Sequence, residues 1–356
     1  MFGGVREKLR QMRRARRIAQ LEKPRWPQAI QIETTNVCNL RCVMCPTTYN
    51  PTAGIEAKES IISAVMAAMP HVAALRPYLN GEPLMYAPIF DLMRRARALN
   101  PSIDLAFNTN GMLMDKDARK QILSLPMNHV VVSMDGACAE TYNAIRVGAD
   151  FDVVVDNISR LSAERGPYAA GKLPMLSLQM TVHKDNVEEM PELVRLAARL
   201  GLQGVMFNNI EPYCGALADK ICYGPNPREE YVKLFDETAR EARRLGLFCT
   251  AALLRADGVA RYCPSLSVMY ITADGSCYPC ASLMSGDKFW YLGEERRHHG
   301  PLCMGTLPQQ SIYEVWNSPQ YRAFRRQLRE HRLHAECEQC LMAQSVVCNT
   351  QPYPLN

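Results

Sequence analysis

Six short apolar or β-branched stretches, separated by helical patterns, run between Ala29 and about Leu254. Strands that alternate with helices form repeated βα units, and such units build a parallel sheet. Six consecutive units are enough for most of a barrel, although a doubly wound sheet is also compatible with the pattern. The predicted strands are AIQIETT (29–35), LRPYLN (75–80), IDLAFNT (103–109), HVVVSMD (129–135), MLSLQMTV (175–182) and GVMFNN (204–209).

The alternation ends near Arg261. Residues 263–280 are typical of a short hairpin that carries cysteines, and a helical pattern extends from Ile312 to about Glu330. No internal repeat or low-complexity tract is present. We therefore predict an α/β protein with three segments: a basic helical extension (1–28), a partial (β/α)6 barrel (29–254) and a small hairpin-plus-helix domain (255–356).

Composition indicates a globular protein whose cysteines have chemical roles. Of 356 residues, 47% are hydrophobic, 22% are charged and 14 are cysteines. The N-terminus lacks the apolar region of a signal peptide, so metal binding or catalysis explains the cysteines better than a disulfide framework does. We predict a cytoplasmic protein without a membrane span, since no run of about 18 apolar residues occurs.

Much of the net charge of +5 lies near the N-terminus, where apolar residues recur at roughly helical spacing. These residues are Val5, Leu9, Met12, Ile18 and Leu21. A solvated terminal helix is the favoured interpretation because its apolar face is narrow. Peripheral contact with an anionic membrane is the alternative. We predict no nucleic-acid partner.

Cys38, Cys42 and Cys45 follow the first predicted strand with the spacing C-x3-C-x2-C. Three thiolates leave a tetrahedral zinc site one ligand short. They suffice for three irons of a 4Fe–4S cluster, whose fourth iron then stays open to another ligand. Active sites of parallel barrels form at the C-terminal ends of the strands, so we expect a reactive cluster here rather than a zinc knuckle.

This cysteine loop resembles the hallmark of the radical SAM superfamily, whose members use S-adenosylmethionine (SAM). Similar motifs follow in the family's order: NGEP (80–83), NTNG (108–111), SMDG (133–136) and TYNAIR (141–146). The resemblance implies a TIM-like partial barrel in which the three cysteines hold the SAM-binding 4Fe–4S cluster. It also implies SAM contacts from Gly81, Glu82, Pro83, Asn110, Ser133, Asp135 and Arg146.

In that family, an electron from the reduced cluster cleaves SAM to a 5′-deoxyadenosyl radical, which abstracts a hydrogen atom from the substrate. The resemblance therefore implies the same chemistry for this chain. It also implies a flavodoxin or a ferredoxin as the electron donor.

A second set of cysteines resembles the SPASM and twitch extensions found behind many radical SAM barrels. Cys263, Gly275 and Cys280 have the spacing that opens such a domain, and CEQC provides Cys337 and Cys340. The resemblance implies that these four cysteines hold one auxiliary 4Fe–4S cluster.

Two other cysteines leave alternatives open. Cys348 alone follows CEQC, and a two-cluster SPASM domain needs more cysteines there, so the one-cluster twitch type fits better. A zinc ribbon is the alternative to the auxiliary cluster. Its four ligands would be Cys277, Cys280 and the CEQC pair, and Cys263 would not take part.

A single auxiliary cluster is compatible with oxidation of an alcohol carbon to a ketone, with the cluster as electron acceptor. We expect a small polar substrate of the sugar or aminocyclitol type, because peptide-modifying relatives often carry a further N-terminal domain. Peptide or protein maturation is the alternative. Epimerisation is another, and Cys138 or Cys214 would then return a hydrogen atom to the substrate. An inert buried thiol is the favoured interpretation of each of these cysteines.

Glu211 is the candidate catalytic carboxylate, because it follows the sixth predicted strand at the expected mouth of the barrel. Asn208, Asn209 and Tyr213 lie beside it. The charge run Glu294–His299 is predicted to be a solvated surface loop, and a loop that covers the mouth is the alternative. A metal-binding scaffold without enzymatic activity is the competing class of protein. The intact three-cysteine loop and Glu82 argue against it.

Overall fold

The computed structural model describes residues 12, 23–49, 51–168, 173–258, 263–284, 288–297, 300–330, 332, 334–337, 340–342 and 344–346. Apart from Met12 and residues 23–28, the predicted basic extension lies outside the described residues, and so does Cys348. Within the described part of the chain, no helix is long and apolar enough to cross a membrane.

Seven strands of the described residues pair in parallel, in sequence order, and form the wall of a partial barrel. All six predicted strands are present, and the first four are shorter than predicted. The seventh is absent from the prediction because FCTA is too short to show a periodicity. The strands are β1 (Ala29–Ile32), β2 (Ala74–Arg76), β3 (Asp104–Thr109), β4 (His129–Ser133), β5 (Met175–Val182), β6 (Gly204–Asn209) and β7 (Phe248–Ala251).

Helices connect these strands. Asp115 and Asp150 each begin one helix by accepting hydrogen bonds from N–H groups of its first turn, which would otherwise lack acceptors. The helices of the barrel are α1 (Pro46–Tyr49), α2 (Glu59–Ala68), α3 (Ile89–Leu99), α4 (Lys116–Ser124), α5 (Ala139–Ile145), α6 (Phe151–Ala163), α7 (Met190–Arg199) and α8 (Glu229–Arg244). Short 3-10 turns occupy Met69–His71, Pro83–Met85, Gly166–Tyr168, Val187–Glu189, Gly215–Leu217, Pro264–Leu266, Ala281–Leu283 and Ala335–Cys337.

The C-terminal segment extends the barrel wall on the side of β1. Strand β8 (Val268–Ile271) pairs in parallel with β1, and β9 (Ser276–Tyr278) returns antiparallel to β8, as the predicted hairpin requires. A separate hairpin joins β10 (Lys288–Tyr291) to β11 (Glu294–Arg297), so the segment predicted as a charged loop begins with a strand. Strand β12 (Gly305–Thr306) pairs with β9 and completes the ten-stranded sheet.

The helical pattern predicted over Ile312–Glu330 contains two helices, α9 (Ile312–Trp316) and α10 (Pro319–Arg329). Pro319 lies in the first turn of α10, where its missing N–H is tolerated, and Ser318 caps that helix. The cap and the proline together interrupt a continuous apolar pattern, which periodicity alone does not show.

One hydrophobic core contains side chains of both the barrel and the C-terminal segment. Leu75 of β2 and Trp316 of α9 belong to it and are fully buried. Gly275 lies at the junction with φ +90°, and a Cβ atom there would meet the Leu307 carbonyl oxygen at 2.4 Å. The predicted turn at Gly275 therefore requires glycine.

Candidate active site

The three-cysteine loop leaves the C-terminal end of β1 and is held by backbone hydrogen bonds. The Arg41 N–H donates to the Val147 carbonyl and the Val43 N–H to the Ile145 carbonyl, both at 2.9 Å. Because both carbonyls belong to the segment that follows β4, the loop extends across the strand ends from β1 to β4.

Each sulfur of the loop has a polar neighbour, and such neighbours stabilise thiolates and tune clusters. The neighbouring atoms for Cys38, Cys42 and Cys45 are Leu40 N at 3.4 Å, Arg146 Nη1 at 3.9 Å and Thr47 Oγ1 at 3.0 Å, respectively. Burial raises the pKa of Cys42 to about 12 and also raises the pKa of Cys38. Metal binding must therefore displace protons from these thiols.

The three thiols of the loop lie close enough to influence one another. Cys45 and Cys38 both contribute to the raised pKa of Cys42, and Cys45 contributes to the raised pKa of Cys38. Three cysteines suffice for a cluster whose fourth iron stays open to another ligand. This set of donors thus fits the implied cluster, with Cys38, Cys42 and Cys45 as the proposed ligands.

Glu82 is buried between β2 and β3, with 2% of its surface exposed. Its carboxylate accepts hydrogen bonds from Thr109 Oγ1 at 2.7 Å, from Asn110 N at 2.8 Å and from Leu84 N at 3.1 Å. Burial raises the pKa of Glu82, and these hydrogen bonds oppose that effect. The carboxylate therefore links the ends of β2 and β3 by hydrogen bonds. The backbone around Gly81 and Pro83 is the other part of the NGEP motif, and this part would face SAM.

Gly81 occupies the left-handed region with φ +72°. A Cβ atom at this position would meet the carbonyl oxygens of Thr35 at 2.4 Å and Val37 at 2.8 Å. These carbonyls lie just before Cys38, so the absence of a side chain lets the NGEP turn approach the cysteine loop closely.

We expect Gly81→Ala to destabilise the fold by about 3 kcal/mol or more, because backbone strain and a collision add. Gly246→Ala is the matched control, since Gly246 has φ +71° but no neighbouring atom within 4 Å of the added Cβ. That variant should lose only about 1 kcal/mol. Urea unfolding of both proteins measures the difference, and equal losses would show that the close approach is unimportant.

Asp135 and Arg146 form a buried ion pair at the end of β4. Arg146 Nε lies 2.7 Å from Asp135 Oδ2, and Asp135 Oδ1 accepts a hydrogen bond from Thr181 N at 2.6 Å. Burial lowers the pKa of Arg146, but Asp135 and Cys42 outweigh it, so the pKa of the guanidinium is raised. Ser133 is the last residue of β4 and is half-buried.

Two buried polar atoms at neighbouring strand ends have no hydrogen-bond partner among the described residues: His183 Nε2 after β5 and Asn209 Oδ1 at the end of β6. A buried polar group without a partner is costly, so these two atoms fit a polar ligand such as SAM. His183 is absent from the sequence prediction. Its position directly after β5 is the signal that points to it.

The structure brings Cys263 and Cys280 together. Burial raises the pKa of Cys280 to about 12, and the neighbouring Cys263 thiol contributes to that shift. Cys277 is fully buried in the core instead, with its sulfur 3.7 Å from the Gly275 carbonyl oxygen. The Cys340 N–H donates to the Cys337 carbonyl at 3.2 Å. We keep Cys263, Cys280, Cys337 and Cys340 as the proposed auxiliary ligands.

A cavity of about 540 Å³ lies between the cysteine loop and the C-terminal segment. Pro46 and Thr47, directly after Cys45, line one side, and Tyr278 and Phe289 belong to the other. Trp290 N donates to the Pro212 carbonyl at 3.0 Å, which joins β10 to the segment that carries Glu211 and Tyr213. The described lining residues include three carboxylates, Glu33, Glu211 and Asp274, and no Lys, Arg or His.

Tyr213 and Glu211 form a pair within this cavity. The Tyr213 hydroxyl donates to Glu211 Oε2 at 2.8 Å. Burial raises the pKa of Tyr213, and Glu211, Cys45 and Cys280 all contribute in the same direction. The pair therefore lies within electrostatic range of both cysteine sets.

Cys138 and Cys214 are not among the described residues that line this cavity. Cys138 is exposed beside Glu189, at 3.5 Å from its Oε1 atom. Cys214 packs against a small cluster that contains Met44 and Ile210. Asn209 donates to the Val346 carbonyl at 2.7 Å and so anchors the C-terminal segment to β6.

Comparison with known proteins identifies both parts of the chain. The radical SAM superfamily model matches residues 32–197, and the SPASM iron–sulfur cluster-binding domain model matches residues 263–341. A tungsten-containing aldehyde ferredoxin oxidoreductase cofactor-modifying protein of Pyrococcus furiosus is 23% identical over 317 residues, which are 87% of this chain and 86% of that protein.

Two further relatives concern peptides. PqqA peptide cyclase of Granulibacter bethesdensis is 26% identical over 222 residues, which are 61% of this chain and 56% of that protein, so only about half of the cyclase is matched. Streptococcus suis SuiB bound to precursor peptide SuiA has a TM-score of 0.63 at 15% identity, over 97% of this chain and 76% of SuiB, which shows the fold alone. The chain belongs to the radical SAM superfamily, with a 4Fe–4S cluster and SAM as cofactors and a C-terminal SPASM domain for auxiliary iron–sulfur binding.

Proposed function

We propose that this enzyme oxidatively modifies a substrate that carries a cationic amino group, and that the substrate is a peptide whose basic side chain enters the cavity beside Cys45. The cluster and SAM, when bound, supply the 5′-deoxyadenosyl radical that abstracts a hydrogen atom from the substrate. The acidic cavity between the two cysteine sets is the observation that carries the proposal.

The charge of the cavity favours a cation. Burial raises the pKa of Glu33, and the nearby Asp274 carboxylate raises it further. A cationic group would relieve this repulsion between partly desolvated carboxylates. Aromatic rings of Tyr278 and Phe289 are suitable walls for an ammonium group, because their faces attract cations.

Oxidation fits the cavity better than epimerisation does. Epimerisation needs a hydrogen-donating thiol that faces the substrate, and the described lining contains neither Cys138 nor Cys214. Oxidation also needs acceptors for the electron and the proton that the substrate radical loses. The proposed auxiliary cluster would accept the electron, and Glu211, a carboxylate at the cavity wall, would accept the proton. Tyr213 holds this carboxylate in place through its hydroxyl group. We therefore assign proton acceptance to Glu211, while Tyr213 is a positioning residue.

Two observations favour different sizes of substrate. The relationship to a peptide cyclase supports a peptide. The cavity volume of about 540 Å³ also suits a whole small molecule, which keeps oxidation of an aminocyclitol or amino sugar as the second candidate. Both substrates carry the amino group that the three carboxylates would recognise.

Anaerobically reconstituted enzyme should be incubated with SAM, dithionite and one of three probes. The probes are a lysine-containing peptide, the same peptide with acetylated amines, and an aminocyclitol. We expect the free-amine peptide to increase 5′-deoxyadenosine formation and the acetylated peptide to have little effect. Stimulation by the aminocyclitol alone would favour the second candidate, and equal stimulation by both peptides would refute cation recognition.

Asp274→Asn should raise the KM for the stimulating cationic probe about tenfold, because one charged partner of the amine becomes neutral. Thr272 and Ser276 hydrogen-bond Asp274, and an asparagine oxygen can retain them. Asp91→Asn on the exposed surface of α3 is the matched control and should leave the KM unchanged. Steady-state deoxyadenosine assays measure both values, and an unaltered KM in Asp274→Asn would exclude a role in binding.

A further inference from the structure

Arg146 has two buried contacts that reach the cysteine loop and β4. Its Nη1 atom lies 3.9 Å from Cys42 Sγ, and its Nε atom lies 2.7 Å from Asp135 Oδ2. Arg146 is 9% exposed and Asp135 is fully buried. The guanidinium is therefore placed between a proposed cluster ligand and a carboxylate, in surroundings where charges interact strongly.

The fold holds this arrangement firmly. Arg146 ends α5 and its N–H donates to the Tyr142 carbonyl at 2.8 Å. Asp135 is fixed independently, since Thr181 N donates to its second oxygen at 2.6 Å. The positions of both charged groups are therefore set by backbone contacts within the fold. The distance from the guanidinium to Cys42 is thus a property of the folded barrel.

We propose that Arg146 is a positioning residue that sets the reduction potential of the catalytic cluster, and that Asp135 limits its effect. The inference rests on the proposed role of Cys42 as a cluster ligand. Reduction adds negative charge to the cluster, so a cation that donates to a ligating sulfur favours the reduced form. The carboxylate of Asp135 partly cancels that cation. The pair therefore holds the potential between the values that either charge alone would produce.

Opposite shifts are expected from removing the two charges. Arg146→Gln should move the midpoint potential of the catalytic cluster to more negative values, because the cation and its donor to Cys42 are lost. Asp135→Asn should move it to less negative values, because Arg146 is then uncompensated. Arg146→Lys keeps the charge and should recover part of the first shift. A merely structural role would not give shifts of opposite sign.

Full-length protein should be reconstituted anaerobically, counted for iron and titrated electrochemically while the cluster signal is followed by electron paramagnetic resonance. All variants also carry Cys263→Ala, so that the catalytic cluster alone is measured. SAM is left out of the titration, because Arg146 and Asp135 are themselves implied SAM contacts. Arg94→Gln is the control, because Arg94 is an exposed guanidinium on α3 that bonds Gln121. Its potential should equal that of the enzyme that carries Cys263→Ala alone.

Shifts of opposite sign in Arg146→Gln and Asp135→Asn support the inference, and unchanged potentials in both overturn it. If Arg146→Gln loses iron, the midpoint potential of Asp135→Asn tests the inference instead. A less negative potential in that variant supports the inference, and an unchanged or more negative potential overturns it. Cys42→Ala tests separately whether Cys42 is a ligand of the catalytic cluster. A normal catalytic cluster in that variant would refute the ligand assignment itself, whatever the potentials of the other variants.

Discussion

Cys38→Ala is expected to abolish SAM cleavage and leave the barrel folded. Three thiolates are the minimum for holding a cluster with one open iron, so two remaining cysteines should not retain it. The half-buried sulfur makes few protein contacts: Leu40 N donates to it at 3.4 Å and Asn110 Nδ2 lies 3.9 Å away. Iron should fall from about eight to about four per chain, and 5′-deoxyadenosine should become undetectable.

Cys249→Ala is the matched control for that experiment. Cys249 is also a half-buried thiol, but it lies on β7, and burial raises its pKa to about 11. Its removal should leave the iron content and the rate of SAM cleavage unchanged. Circular dichroism should show the same fold in both variants. Retained cleavage in Cys38→Ala would remove the basis for the proposed catalytic cluster.

Cys263→Ala should remove the auxiliary cluster, whereas Cys277→Ala should leave it in place. The cluster interpretation uses Cys263 and the zinc ribbon uses Cys277, while both use Cys280. We expect Cys263→Ala to lose about four irons per chain and to keep forming 5′-deoxyadenosine with dithionite. Cys277→Ala should keep about eight irons and lose about 1 kcal/mol of stability, because Cys277 is fully buried in the core.

Iron and zinc counts on both purified variants, with a thermal unfolding curve for each, decide between the two sites. Cys280→Ala serves as the positive control, since either site should be lost. Two results together would refute the auxiliary cluster. The unmodified protein would contain zinc that Cys277→Ala lacks, and Cys263→Ala would keep its full iron content. Loss of metal from both variants would show that the two thiols contribute to one site, contrary to both interpretations.

The strand positions and the order of the motifs are predictable because they depend on local chemistry. Alternating apolar residues over 175–182 and β-branched residues over 129–133 predict strands that the structure contains. The two cysteine spacings also lie within short stretches of chain. Strand β7 and the break between α9 and α10 are not predicted, because one is too short and the other is set by a cap and a proline.

The sequence by itself thus determined the family, the parallel barrel and the residues that carry thiol and carboxylate chemistry near strand ends. Only the tertiary structure decided which of them meet. Arg146 lies beside Cys42 and Asp135, although 104 positions separate it from Cys42. Glu33, Glu211 and Asp274 share one cavity for the same reason, since strand pairing joins distant parts of the chain. Such distances follow from sheet order and packing, which a local pattern does not contain.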